Sequence, residues 1–157
     1  MNKLKLLLSF DINTKILLLE AFIFLAWARI LKIMPFSKVS FSLGEQMEET
    51  SFDRIPMNEK KIKSVAQSIQ IVSRYTLWES KCLVRAIAAM KMLERRKIES
   101  TLYLGTGRDE YGRLAAHAWL RSGPFYITGA DGMERYSIVG KFAKRFSTGK
   151  IEGEGNG

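Results

Sequence analysis

Lys81-Cys82-Leu83-Val84-Arg85-Ala86-Ile87-Ala88-Ala89-Met90 is the stretch whose reading decides the fold, and Leu114-Ala115-Ala116-His117-Ala118-Trp119-Leu120 completes it. Leu83, Ala86, Ile87, Met90 and Leu93 recur at the spacing of a helix with one buried face. Small Ala86, Ala88 and Ala89 let a neighbouring element approach closely. The helix is expected from Ser80 or Lys81 to Arg96, which sets Cys82, the only cysteine, on its first turn. Unpaired N–H groups at a helix start favour an anion there, and the anionic thiolate is the reactive form of a cysteine. His117, the only histidine, falls in the second stretch, which reads as a buried strand. An imidazole is the usual base for a thiol nucleophile.

Working outward, a helix should begin near Asn58, a good N-cap, with Ile62, Val65, Ala66, Ile69 and Val72 along its apolar face. Arg74 to Lys81 then connects it to the Cys82 helix. Pro35 to Pro56 is polar in patches and reads as a linker or arm. Before it, Ile16 to Ile33 forms a first helix, stopped at Met34-Pro35 because proline disfavours helix in the residue preceding it. Downstream, Thr101 to Leu104 reads as a strand and Gly105 to Gly112 as a glycine-rich hairpin loop. That loop neither ends in Gly-Lys-Ser/Thr nor opens a helix, so it is not a phosphate loop. Arg113 to Leu120, Phe125 to Thr128 and Tyr136 to Val139 supply further strands, with a turn at Arg121-Ser122-Gly123-Pro124. Helices first and an antiparallel sheet after them make an α+β fold. The organisation expected is an N-terminal helix and arm over 1–56, a core over 57–146 and a disordered tail over 147–157.

With 157 residues, 46% of them hydrophobic, the chain can bury a core without disulfides. A lone cysteine excludes an internal disulfide and fits a reducing, cytoplasmic setting. The formal charge of +9 favours acidic partners, and a basic, non-catalytic nucleic-acid-binding module is one reading of it. The cations are spread out, however, with short clusters only at 94–97 and 141–145, and no RNA-binding or helix-turn-helix signature is present. Lys15 to Met34 is apolar, but Glu20, Arg29 and Lys32 interrupt it, leaving less than the roughly 20 residues that span a bilayer. A protein-facing helix is favoured over one lying on a membrane surface. One Cys and one His leave the other ligands of any metal site to carboxylates, so neither a metal nor a cofactor is expected.

Acyl transfer from a peptide bond needs a nucleophile, a base and a group that orients the base. Cys82 and His117 supply the first two. Asp131, after the strand that should pair with the His117 strand, is the expected orienter. A tight turn at Ser122-Gly123 would put Thr128 opposite His117 and Asp131 on the other face; a one-residue bulge would set Gly129 there and make Asp131 a diagonal neighbour. Asp109 and Glu110 are rivals, and Glu134 a weaker one. The backbone N–H of Cys82 is the first oxyanion donor, with Trp78, Gln67 and Gln70 as candidates for a second. Arg85 is suited to the thiol or to a peptide carbonyl or carboxylate. Against all this, a lone helical cysteine is commonly an inert core residue and a lone histidine a satisfied one.

Lys81-Cys82-Leu83-Val84-Arg85-Ala86, Arg95-Arg96-Lys97-Ile98, Leu102-Tyr103-Leu104-Gly105 and Ala116-His117-Ala118-Trp119 together resemble the transglutaminase-like lasso-peptide leader peptidases. Leu19-Glu20-Ala21 through Ala28-Arg29 and Met34-Pro35-Phe36 look like that family's leading region. The resemblance implies a papain-like cysteine protease of the Cys-His-Asp type, with Cys82 and His117 on the motif. No acidic residue lies between His117 and Asp131, so the acid comes later than a short strand pairing would place it. Such enzymes cut the leader from a ribosomally made precursor, shortly after a leader threonine, so that an ATP-dependent cyclase can close the lasso ring. The family's B protein is often split into a small leader-recognition partner and a standalone peptidase, and this chain looks like the latter. Its first helix or its 35–56 arm is then expected to dock the partner. Transglutaminases use the same triad with an amine in place of water, and the sequence leaves both acceptors open.

Overall fold

The computed structural model describes residues 5, 8–75 and 81–146. Of three long helices, α3 (Pro56–Tyr75) and α4 (Cys82–Arg95) pack on a five-stranded sheet, and α1 (Ile12–Leu31) packs on both of them. A short α2 (Phe36–Val39), a 3-10 turn (Ser40–Leu43) and β1 (Glu45–Gln46) lie between α1 and α3. The rest of the sheet is β2 (Ser100–Arg108), β3 (Leu114–Ser122), β4 (Phe125–Thr128) and β5 (Tyr136–Lys144), in the order β1-β5-β2-β3-β4 and antiparallel throughout. This is the α+β layout that the periodicities imply.

α4 is the hub. Val84, Ala86, Ile87, Ala88, Ala89, Met90, Met92 and Leu93 are all buried, so apolar side chains cover most of its circumference. α1 covers it with Leu18, Ala21, Leu25 and Ala28, and α3 with Ile62, Val65 and Ile69. The sheet meets it with Leu102, Leu104, Ala118, Leu120, Ile127 and Phe142. Side chains alternate along a strand. Leu102 opposite Leu120 and Leu104 opposite Ala118 therefore face the helices, while Tyr103 opposite Trp119 and Gly105 opposite His117 face away.

The 35–56 region is no free linker. Glu45 and Gln46 pair with Ala143 and Phe142, and Val39 and Leu43 are buried in the core. Arg121, fully buried, then pins the following segment: it donates to the carbonyls of Thr50 at 2.8 Å and Ser51 at 3.0 Å, and its guanidinium lies 3.5 Å over the Phe52 ring. The polar composition concealed this because the anchors are backbone carbonyls met by a cation from the sheet. Residues before 57 thus build the same core as those after it.

Several element boundaries also differ from expectation. α1 starts at Ile12 and ends at Leu31, and α3 opens on Pro56, whose missing N–H costs nothing in a first turn. β2 runs through Gly105 and Gly107 to Arg108, shrinking the hairpin loop. Gly105 serves close approach: a Cβ there would lie 2.9 Å from the Trp119 ring and from the Tyr136 Cβ. Correspondingly, β5 extends to Lys144, with an irregularity opposite Leu104 and Gly105 that absorbs the mismatch.

Glu20 locks α1 to α4, accepting from Arg96 Nη1 and Nη2 at 2.7 Å each and pairing with Arg95 Nη1 at 2.8 Å. The flank of α1 opposite its buried face leaves Ile12, Ile16, Leu19, Ile23 and Ile30 exposed, in the alternating four-and-three spacing of a helix-docking seam. Among the described residues no helix is long and apolar enough to cross a membrane.

Candidate active site

Cys82 is the first residue of α4, following Lys81 in extended backbone (φ −72°, ψ 164°). At this position its N–H, like those of the next residues, has no acceptor within the helix. The thiol is half-buried and packs against the apolar core. One turn on, Arg85 occupies the same flank, since residues three apart on a helix are neighbours.

His117 stands mid-way along β3, opposite Gly105. Its ring is held by aromatic neighbours, Tyr136 at 5.0 Å and Trp119 at 5.7 Å between centroids. Nε2 lies 2.7 Å from the carbonyl oxygen of Gly129. A carbonyl only accepts, so Nε2 carries the proton and the lone pair of the neutral ring sits on Nδ1. The tautomer and the ring's tilt are thereby set by one backbone group.

The β3–β4 hairpin explains how that carbonyl arrives. Ser122 pairs with Phe125 and Arg121 with Tyr126, so the turn is Gly123-Pro124 and not Ser122-Gly123. The register then shifts, with Leu120 opposite Thr128 and Ile127 as the extra residue. Beyond this bulge Gly129, at φ +72°, turns against β3 so closely that a Cβ would lie 2.4 Å from the Ala118 carbonyl oxygen. Only glycine fits such a left-handed, crowded position.

A cavity of about 670 Å³ opens here, lined among others by Gln67 and Gln70 of α3, Arg85 of α4, His117, Thr128 and Asp131. By alternation His117 belongs to the sheet face away from the helices. It reaches the cavity because β4 ends at Thr128 and leaves the β3 edge uncovered beside the ring. Asp131 is exposed at the rim, with no hydrogen-bond partner among the described residues. The hydrogen bond expected from Asp131 to the ring is made by the Gly129 carbonyl, which the bulge brings in first.

The rival acids lie apart from this cavity. Asp109 is committed to the β2–β3 loop, accepting from the N–H groups of Tyr111 and Arg113 at 2.9 Å each. Glu110 is exposed in that loop, and Glu134 in the 3-10 turn Met133–Arg135. Gln67 and Gln70 do line the cavity, whereas Trp78 falls outside the described residues. The Gly129 carbonyl and the Tyr136 ring are the parts that sequence reasoning missed. Gly129 carried a signal, a glycine where a bend was needed; Tyr136 carried none, because it reaches His117 across β2. Among the described residues no three His, Cys, Asp or Glu side chains cluster as metal ligands do.

Neither a curated protein nor a solved structure matches the chain significantly. A family model described as the transglutaminase-like superfamily matches residues 26–141, a span that starts inside α1 and ends inside β5. That superfamily covers cysteine protease and acyl-transfer activities. Because the match takes in the Cys82 helix, the His117 strand and the segment that joins α1 to α3, the chain belongs to the transglutaminase-like superfamily.

Proposed function

We propose that this chain is a cysteine endopeptidase that removes the leader from a ribosomally made lasso-peptide precursor. The observation that carries the chemistry is the tethered imidazole: His117, its Nε2 held by Gly129 and its Nδ1 left as base, lines the cavity whose other wall bears Arg85, one turn from Cys82. The substrate rests on the resemblance of the motifs around Cys82 and His117 to the leader peptidases.

In this reading Cys82 Sγ gives its proton to His117 Nδ1 and attacks the scissile carbonyl. The oxyanion is met by the Cys82 N–H at the helix start. Collapse breaks the C–N bond, and the imidazolium protonates the leaving amine, which is the new N-terminus of the core peptide. Water, deprotonated by Nδ1, then cleaves the thioester and frees the leader carboxylate. Asp131, at the rim, stabilises the imidazolium through space, and Gln67 or Gln70 supplies the second oxyanion donor. The exposed seam of α1 docks the leader-recognition partner, whereas the 35–56 arm is tied into the sheet. The setting is cytoplasmic, and the freed core peptide passes to the ATP-dependent cyclase.

The test incubates the chain with a lasso precursor and its leader-recognition protein and weighs the products. Two fragments whose masses sum to precursor plus water are expected, and none from Cys82→Ala or His117→Ala. Cleavage that persists in Cys82→Ala removes the assignment. A leader fragment carrying an added amine instead of water identifies acyl transfer to an amine, the superfamily's other chemistry.

A further inference from the structure

We propose that the cavity lined by Arg85 and His117 is a carboxylate subsite, with Arg85 as the residue that selects peptides bearing an acidic group next to the reacting bond. This deepens the peptidase reading and rests on it for its purpose, though not for its chemistry. Arg85 Nε and Thr128 Oγ1 are both buried without a hydrogen-bond partner, and both residues line this cavity. A buried donor left unpaired costs about 1–3 kcal/mol, so two in one cavity, one on a cation, mark a place built for an acceptor. No carboxylate pairs with the Arg85 guanidinium among the described residues, in contrast to Arg54, Arg95, Arg96, Arg113 and Arg145.

Direction follows from helix geometry. Long side chains on a helix lean toward its N-terminus, over the turn before their own Cα. Arg85 therefore leans toward Cys82, whose Cβ is about 5–6 Å from its own. A planar guanidinium fork matches a carboxylate with two parallel hydrogen bonds, and the threonine hydroxyl adds a third donor. Lys63, also lining the cavity, shares the sign of Arg85, and Asp131 is the single carboxylate among the described lining residues. The guest is thus an anion, seated so that an adjacent carbonyl meets the sulfur.

Alkylation of Cys82 tests this without any knowledge of the precursor. In either reagent Sγ displaces iodide and forms an S–C bond; iodoacetate carries a carboxylate and iodoacetamide an amide of nearly the same shape. At about 0.5 M salt, where the general field of a basic protein is screened, the iodoacetate rate should saturate with concentration. Its ratio to the iodoacetamide rate should exceed that of N-acetylcysteine at least tenfold. Arg85→Gln should return the ratio to that of the free thiol, Arg85→Lys should keep part of it, and Thr128→Val should lower it several-fold. An unchanged ratio in a folded Arg85→Gln overturns the proposal, and so does a thiol inert to both reagents. N-acetylglutamate α-amide and N-acetylglycine, as protectants against iodoacetamide, separate a side-chain carboxylate from a chain terminus; protection by neither also overturns it. A selective thiol in a chain that cleaves no precursor would keep the subsite and remove the peptidase. Precursor cleavage indifferent to Arg85→Gln would do the reverse.

Discussion

Gly129→Ala puts the backbone tether of the imidazole at risk without touching the imidazole. An L-residue at φ +72° pays about 1–2 kcal/mol for the left-handed conformation. The new Cβ would also lie 2.4 Å from the Ala118 carbonyl oxygen and 2.9 Å from the Trp119 Cβ. Ordinary C···O contacts begin near 3.3 Å, so backbone must yield by about 1 Å. Such crowding adds about 1–3 kcal/mol, for a total near 2–5 kcal/mol. In a domain of this size that lowers the melting midpoint by roughly 5–15 °C. The same displacement stretches the 2.7 Å contact from His117 Nε2 beyond hydrogen-bond range, and the ring loses its preference for the tautomer with Nδ1 free. Cleavage of the precursor, measured well below the melting midpoint, should fall at least tenfold. Asp131→Ala is the companion: its carboxylate is exposed and unpartnered, so stability should hold and cleavage should stay within about threefold if the Gly129 carbonyl fixes the ring. A Gly129→Ala enzyme with an unchanged midpoint and full activity would refute the reasoning. A hundredfold loss in Asp131→Ala alone would return the orienting role to the carboxylate.

Glu20→Gln should destabilise the chain by about 1–3 kcal/mol in urea titrations, because it removes the charge paired with Arg96, which stays partly buried. Burial pushes the Glu20 carboxyl up, but the hydrogen bonds and charges of Arg96 and Arg95 outweigh it and hold the group below 4.5. Its contribution is therefore present above the ordinary carboxylate range and lost as pH falls through the lowered value, so the Glu20→Gln deficit should vanish in acid. At the alkaline end, burial and the hydrogen bond to Glu49 push Tyr103 up to about 12, partly offset by Arg121. Stability from this group is intact below pH 10 and declines from there to 12; ultraviolet titration showing Tyr103→Phe to be equally sensitive over that window would contradict this. Arg121→Met should cost about 3–5 kcal/mol, since the Thr50 and Ser51 carbonyls lose their donor, and amide exchange should accelerate over residues 49–54. Protection there equal to the parent would show that Arg121 is not what pins the segment.

What was legible in the sequence is what a periodic pattern can encode. α4 begins at Cys82, where the apolar face from Leu83 to Leu93 sets in, and β3 was visible as an apolar run around His117. Edge strand β1 was hidden, since two residues have no period and their partners lie nearly a hundred residues away in β5. Arg121 fell in a stretch that reads as a turn, yet it belongs to β3 and its donors are consumed by carbonyls that the sequence does not display. The site fell between these cases. Nucleophile and base are side chains and could be named, whereas the group that holds the base is a peptide carbonyl. Its arrival depends on where one extra residue sits in β4. With the shift at Ile127, the Gly129 carbonyl meets the ring and Asp131 lies out at the rim. The orienting group of this site is thus a property of strand register more than of residue type, and that is why Gly129→Ala and Asp131→Ala, two positions apart, are expected to differ so sharply in effect.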